Sequence, residues 1–186
     1  MLRVLVFAMV SAALVYISRA SLRVPGSHGF YRFIAWECIL ALIFLNFVSL
    51  RQWFDDPFCA RQIISWVLLI GCIVPGLHGI ILLRSQGKPD AGRTDDAPLV
   101  WIERTTELVT TGVFKYIRHP LYSSLLLVAW GVFFKRPSWV AGGLAVCATA
   151  FLVATAKAEE LENILFFGDA YREYMQHSKM FIPFVF

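Results

Sequence analysis

Residues 121–134, LYSSLLLVAWGVFF, and residues 139–156, WVAGGLAVCATAFLVATA, are separated only by Lys135-Arg136-Pro137-Ser138. A helix crossing about 30 Å of hydrocarbon needs roughly 20 mainly apolar residues, so two such runs with a four-residue link read as a helical hairpin. Working back from the hairpin, a polar segment spans 84–118, and three more apolar runs precede it at 62–83, 30–50 and 4–17. The 62–83 run contains Gly71, Pro75, Gly76 and Gly79, which predicts a kink. The expected fold is all-α: an integral membrane helical bundle of about five transmembrane helices.

Composition points the same way. Of 186 residues 58% are hydrophobic and 16% charged, against about 45–50% and 25% in globular domains; mean hydropathy is +0.64. Sixteen phenylalanines exclude a disordered chain, and four cysteines without a CxxC pair exclude a zinc ribbon or a disulfide-stapled scaffold. No metal-ligand spacing links the cysteines to the four histidines. The net charge of +4 resides in short basic clusters between apolar runs, which reads as topology signalling rather than nucleic-acid binding. One membrane domain over 1–186 is expected, with N-terminal transmembrane helices in 1–83 and a polar loop, the hairpin and a C-terminal tail in 84–186. The stretch 84–97 is linker-like, and 1–20 has a rival reading as a signal peptide ending in Ser18-Arg19-Ala20.

With five spans, twelve lysines and arginines fall on one side and five on the other. The positive-inside rule then puts the N-terminus outside, and the 84–118 segment and C-terminus in the cytoplasm. Two clusters distant in sequence thereby share one membrane face. The first, Arg118-His119-Pro120-Leu121-Tyr122, opens a helix: proline suits a first helical position, and the free amides and dipole there favour a carboxylate or phosphate. The same residues also read as interfacial anchors. The second, Glu159-Glu160-Leu161-Glu162-Asn163, lies beyond the last apolar run; Glu159 and Asn163 are four apart on one helical face. Adjacent carboxylates below a membrane span call for cations or polar ligands, or else mark a solvated helix end. Gly168 fits a helix C-cap, and Tyr171, Tyr174, Met175, Phe181 and Ile182 suggest a tail lying on the membrane surface.

In joint order and spacing, Leu108-Val109-Thr110, Gly112, Phe114, Arg118-His119-Pro120, Tyr122, Glu159-Glu160, Phe167-Gly168, Tyr171, Tyr174 and Ile182-Pro183 resemble the isoprenylcysteine carboxyl methyltransferase family and the related phospholipid methyltransferases. The resemblance covers about 106–183; residues 1–100 match only as generic membrane helices. It implies an S-adenosylmethionine-dependent methyltransferase with a cytosol-facing cofactor pocket and a lipophilic methyl acceptor arriving from the bilayer, most simply for carboxyl O-methylation. Carried over by position, cofactor contacts fall on Thr106, Glu107, Leu108, Val109, Phe114, Arg118, His119, Pro120, Leu121, Tyr122, Glu159 and Glu160. A cofactor α-carboxylate suits the helix start with Arg118 and His119, an α-ammonium suits Glu159, and adenine suits walls such as Leu108, Val109 and Phe114. No covalent intermediate is needed, and no general base is evident.

Two positions depart from the family pattern. Phe114 stands where the family has a tyrosine, keeping the ring and losing a hydroxyl. Thr155 stands where, four residues before the cofactor glutamate, the eukaryotic enzymes carry an arginine that holds the acceptor carboxylate. That leaves room for a phospholipid or a small lipophilic thiol or amine as acceptor. A sterol-reductase-like enzyme using NADPH shares an Arg-His-x-x-Tyr element and is the competing enzymatic reading; a membrane scaffold without a cofactor pocket is the non-enzymatic one. Glu37, Asn46 and His78 lie within apolar runs and read as interfacial or helix-bridging residues, and Cys38, Cys72 and Cys147 as small packing residues.

Overall fold

The structure, a computed structural model, describes residues 1–47, 53–89 and 104–185. The end of the second apolar run and most of the linker-like stretch lie outside the described residues. The helices are α1 (Leu2–Ser18), α2 (His28–Phe47), α3 (Ala60–Gly71), α4 (Ile73–Ser85), α5 (Pro120–Lys135), α6 (Trp139–Phe167) and α7 (Asp169–His177), with short 3-10 turns at Ser21–Arg23 and Gly112–Lys115. Among the described residues, three runs are long and apolar enough to cross a membrane: His28–Phe47, Ala60–Ser85 and Trp139–Phe167. The shorter apolar helices α1 and α5, of 17 and 16 residues, complete the five expected segments. Only 11% of the Ala60–Ser85 window is buried inside the protein, so its Ile63, Val67, Ile70, Val74, Leu77 and Ile81 point outward. Such a continuous apolar surface is covered by lipid, and the protein is an integral membrane helical bundle.

Local chemistry explains the element boundaries. The expected kink in the third segment is a break at Cys72: Pro75 has no N–H for the Gly71 carbonyl, and its ring collides with that position of the preceding turn. Proline opens α5, where its missing amide costs nothing. Ser138 caps α6, its hydroxyl accepting from the Ala141 N–H at 3.2 Å. Gly168, at φ +63°, ends that helix with its N–H donating to Ile164.

The core is built by two antiparallel-neighbour pairings, α2 with α6 and α3 with α5. On α6, Ala141, Ala145, Ala148, Leu152 and Ala156 form a buried stripe against Ala35, Ile39 and Leu42 of α2. Small residues bring helices close when no hydrophobic force acts between them in lipid. Gly131 of α5 does the same against α3, where a Cβ would meet Leu69 at 2.8 Å and where Ser65 Oγ donates to the Gly131 carbonyl at 2.7 Å. Glu37 bridges helices, accepting from Ser11 Oγ of α1 at 2.9 Å. Cys38 and Cys147 touch across the α2–α6 seam at 3.5 Å.

Part of the C-terminal tail packs into the bundle: Tyr171, Tyr174, Met180 and Phe181 are buried, whereas Ile182, Phe184 and Val185 are exposed. The chain entering α5 has amides that need partners, and the tail supplies them. The Arg118 and His119 N–H groups donate to the carbonyls of Lys179 (2.7 Å) and Met180 (3.2 Å), and the Lys179 N–H donates to Tyr116 (2.9 Å).

Candidate functional site

The segment from Thr105 to His119 crosses the end of α4 before entering α5, and its path is fixed by contacts with that helix. Gly112 adopts φ +58°, and a Cβ there would meet Leu82 at 2.6 Å and the His78 ring at 3.0 Å, so only glycine fits this turn. Upstream, the Thr106 and Glu107 amides donate to the Gly87 carbonyl. Downstream, Tyr174 Oη donates to the Phe114 carbonyl at 2.6 Å. Burial raises the Tyr171 and Tyr174 hydroxyls well above the usual phenol range, so both stay protonated and able to donate.

These elements line an open crevice of about 90 Å³. Its floor holds a linked set of charged groups. Arg118 Nε donates to Glu160 Oε1 at 2.6 Å, and Nη1 donates to the carbonyls of Met175 (3.3 Å) and Ser178. His119 lies between two carboxylates, with Nε2 3.3 Å from Glu160 Oε1 and Nδ1 3.8 Å from Glu159 Oε2. Tyr122 Oη donates to Glu159 Oε2 at 2.5 Å and stacks on the His119 ring, centroids 5.5 Å apart. Next to this set, Glu162 accepts from His28 at the start of α2, from Nδ1 at 2.5 Å and from the backbone N–H at 3.3 Å. The end of α6 is thereby pinned to α2.

The structure brings all the sequence-derived candidates to this crevice except Thr106 and Glu160. Glu107, Leu108, Val109, Phe114, Arg118, His119, Pro120, Leu121, Tyr122 and Glu159 line it. Thr106 is exposed, its hydroxyl donating to the Lys88 carbonyl at 2.9 Å; its neighbour Thr105 lines the crevice instead. Glu160 is buried behind the wall, held by Arg118 and His119. Arg118 reaches the lining, but its donors are committed to Glu160 and the tail. Lining residues not chosen from sequence are Leu83, Thr105, Asn163, Phe167, Tyr171 and Tyr174. For Asn163 the signal was present in its four-residue spacing from Glu159; for Leu83 no local signal exists.

A second, apolar cavity of about 850 Å³ runs along the outer side of α5, between α3–α4 on one flank and α6 with the tail on the other. Side chains of one segment alternate between the two spaces. Phe114, Arg118 and Tyr122 line the crevice, whereas Val113, Ile117 and Ser123 line the groove. The partition is thin at His119, whose ring contacts Tyr122 on the crevice side and Phe181, a groove residue, at 6.1 Å.

Comparison with known proteins converges on the same part of the chain. Residues 91–171 match the phospholipid methyltransferase family. A stretch of 73 residues is 34% identical to methanethiol S-methyltransferase 1 of Bradyrhizobium diazoefficiens, covering 38% of this chain and 24% of that protein. The methanethiol S-methyltransferase of a Pseudomonas species is 32% identical over 73 residues, 38% of this chain and 26% of its own length; that of Pseudomonas deceptionensis is 29% identical over the same shares. The match thus spans about a quarter of the length of these relatives. No solved structure matches the chain. Over residues 91–171 the chain thus resembles the phospholipid methyltransferases, one of the two related groups that its motifs lead one to expect.

Proposed function

We propose that the protein is an S-adenosylmethionine-dependent membrane methyltransferase acting on a small lipophilic thiol, with its crevice facing the cytoplasm and its N-terminus outside. The observation that carries this reading is the single crevice shared by residues 107–122 and Glu159, two clusters distant in sequence, beside an apolar groove. The residues present fit the donor. The first amides of α5, at Leu121 and Tyr122, suit its α-carboxylate. Glu159 engages its described partners, Tyr122 and His119, through Oε2, leaving Oε1 to hold the α-ammonium. Leu108, Val109, Phe114 and Phe167 offer the apolar and aromatic wall that adenine requires.

When bound, S-adenosylmethionine supplies an activated methyl group. The protein's task is then to align the acceptor and exclude water. Arg118 serves by positioning: its pairing with Glu160 and the tail carbonyls holds the segment before α5 in place. A thiol is preferred to a carboxylate because Thr155 supplies no cation; it is buried, with its hydroxyl donating to its own helix at Phe151 O, 2.7 Å. The relatives named as thiol methyltransferases agree with that preference.

The test is calorimetric binding of S-adenosylhomocysteine to the detergent-purified protein, followed by transfer from labelled donor to 1-butanethiol and to a farnesylated cysteine. Micromolar binding and thioether formation are expected. Methyl ester in place of thioether would restore carboxyl methylation, and NADPH binding instead of S-adenosylhomocysteine would overturn the reading.

A further inference from the structure

Methylation of a thiol releases a proton, and the sequence offers no evident base to take it. The crevice floor does. Tyr122 is 7% exposed, lies on the partition between crevice and groove, and donates to Glu159 through a short contact of 2.5 Å. Its ring is fixed by stacking on His119. The apolar groove, suited to an acceptor, and the polar crevice, suited to a methyl donor, adjoin across this partition, where Tyr122 and the adjacent Ser123 face opposite spaces.

We propose that Tyr122 is the catalytic residue that accepts the thiol proton, with Glu159 as its relay. The inference rests on the thiol-methylation reading above. In the step, the S–H bond breaks and its proton passes to Tyr122 Oη as the phenol proton passes to Glu159 Oε2. The freed sulfur electron pair forms the new carbon–sulfur bond, and the pair of the breaking bond stays with the donor's sulfur, whose positive charge it cancels. One proton remains on Glu159, with His119 Nδ1 3.8 Å away as the next acceptor. Because burial and the Glu159 carboxylate both oppose negative charge on the phenol oxygen, the two proton transfers occur together and no free phenolate forms. From α2, Arg32 faces Tyr122 and Glu159, while Glu162 of α6 opposes it. Tyr171 of α7 faces Glu159, and Glu160 is occupied by Arg118. A carboxylate alone at the edge of a crevice is solvated; one reached through a buried tyrosine delivers its basicity to an apolar acceptor.

The experiment compares 1-butanethiol, protonated at neutral pH, with thiophenol, largely ionised there, in the wild type and Tyr122→Phe, which keeps the stacking ring. The wild type is expected to methylate both at neutral pH. In the variant the ratio of butanethiol to thiophenol turnover is expected to fall about a hundred-fold, within the range for a positioned acid–base group. An activity-independent readout is the infrared S–H stretching band of bound butanethiol, which shifts to lower frequency in the wild type and not in the variant. The proposal is overturned if wild-type butanethiol turnover simply tracks the thiolate fraction as pH rises, if the variant loses both acceptors equally, or if the S–H band is unshifted. If S-adenosylhomocysteine binds but neither thiol yields thioether, the acceptor reading falls and the proposal with it; absence of S-adenosylhomocysteine binding removes the cofactor reading itself.

Discussion

Helix α5 carries a polar cluster at each end, and the two are built in opposite ways. At its C-terminal end Lys135 is fully buried, donating to Gln62 Oε1 at 2.8 Å with its ammonium 3.4 Å from the Trp66 ring centroid. Arg61 donates to the last carbonyls of the helix, at Phe134 and Lys135, an arrangement that also suits the helix dipole. Lys135 and Arg61 are thus both spent on contacts between α3 and α5. At the N-terminal end, Arg118 and Glu160 are turned inward, but Glu159, Tyr122 and His119 line open space. A closed cluster fastens helices in a membrane; one that keeps acceptors facing a crevice is equipped to bind.

The largest effect should come from breaking the closed part of the crevice end. Arg118→Ala leaves Glu160 buried without its cation and releases the Met175 and Ser178 carbonyls. Removing one partner of a buried pair costs about 3–5 kcal/mol, so the variant should melt far below the wild type in detergent and lose cofactor binding with it. A wild-type melting curve would show that the tail docks without this arginine. Lys135→Met should be milder, about 1–3 kcal/mol, because a long apolar side chain still fills the space beside Trp66 while the Gln62 contact is lost. S-adenosylhomocysteine affinity should not change; a loss would mean that the two ends of α5 are coupled.

The positions of the apolar segments were legible because hydrocarbon thickness sets their length, and Pro120, Pro75 and Gly168 mark boundaries by backbone chemistry alone. The pairing of α2 with α6 was not, since bilayer-facing and helix-facing residues are equally apolar and only the alanine stripe of α6 distinguishes them. Within the site, the separation of Glu159 from Glu160 follows from helix geometry: adjacent residues point about 100° apart, so one can face the crevice and the other Arg118. Which does which depends on the tail, whose docking onto residues 114–119 is made by backbone pairing and by Arg118 and Tyr174 reaching main-chain carbonyls, contacts that leave no periodic pattern in the sequence. The Tyr122–Glu159 contact joins residues 37 apart in sequence, a relation visible only once α5 and α6 are packed.

On the open side, Glu159→Gln should fold as the wild type does and still accept from Tyr122, yet lose the charge that holds an ammonium. One charge-assisted contact is worth about 1.5–3 kcal/mol, so S-adenosylhomocysteine affinity should fall roughly ten- to a hundred-fold by calorimetry. Unchanged affinity would remove Glu159 from the binding set and leave it only its link to Tyr122.

The smallest effect should come from Glu107. It lines the crevice mouth, but its carboxylate meets Lys88 at 2.5 Å with both side chains more than half exposed. Exposed pairs contribute at most about 1 kcal/mol and are screened by salt. Lys88→Ala should therefore leave melting and cofactor affinity within error at physiological ionic strength. A clear gain in S-adenosylhomocysteine affinity at low salt would mean that Lys88 competes for Glu107 with the ligand's ammonium, making Glu107 a second carboxylate of the open cluster; no change at any salt leaves Glu159 to carry the ammonium alone.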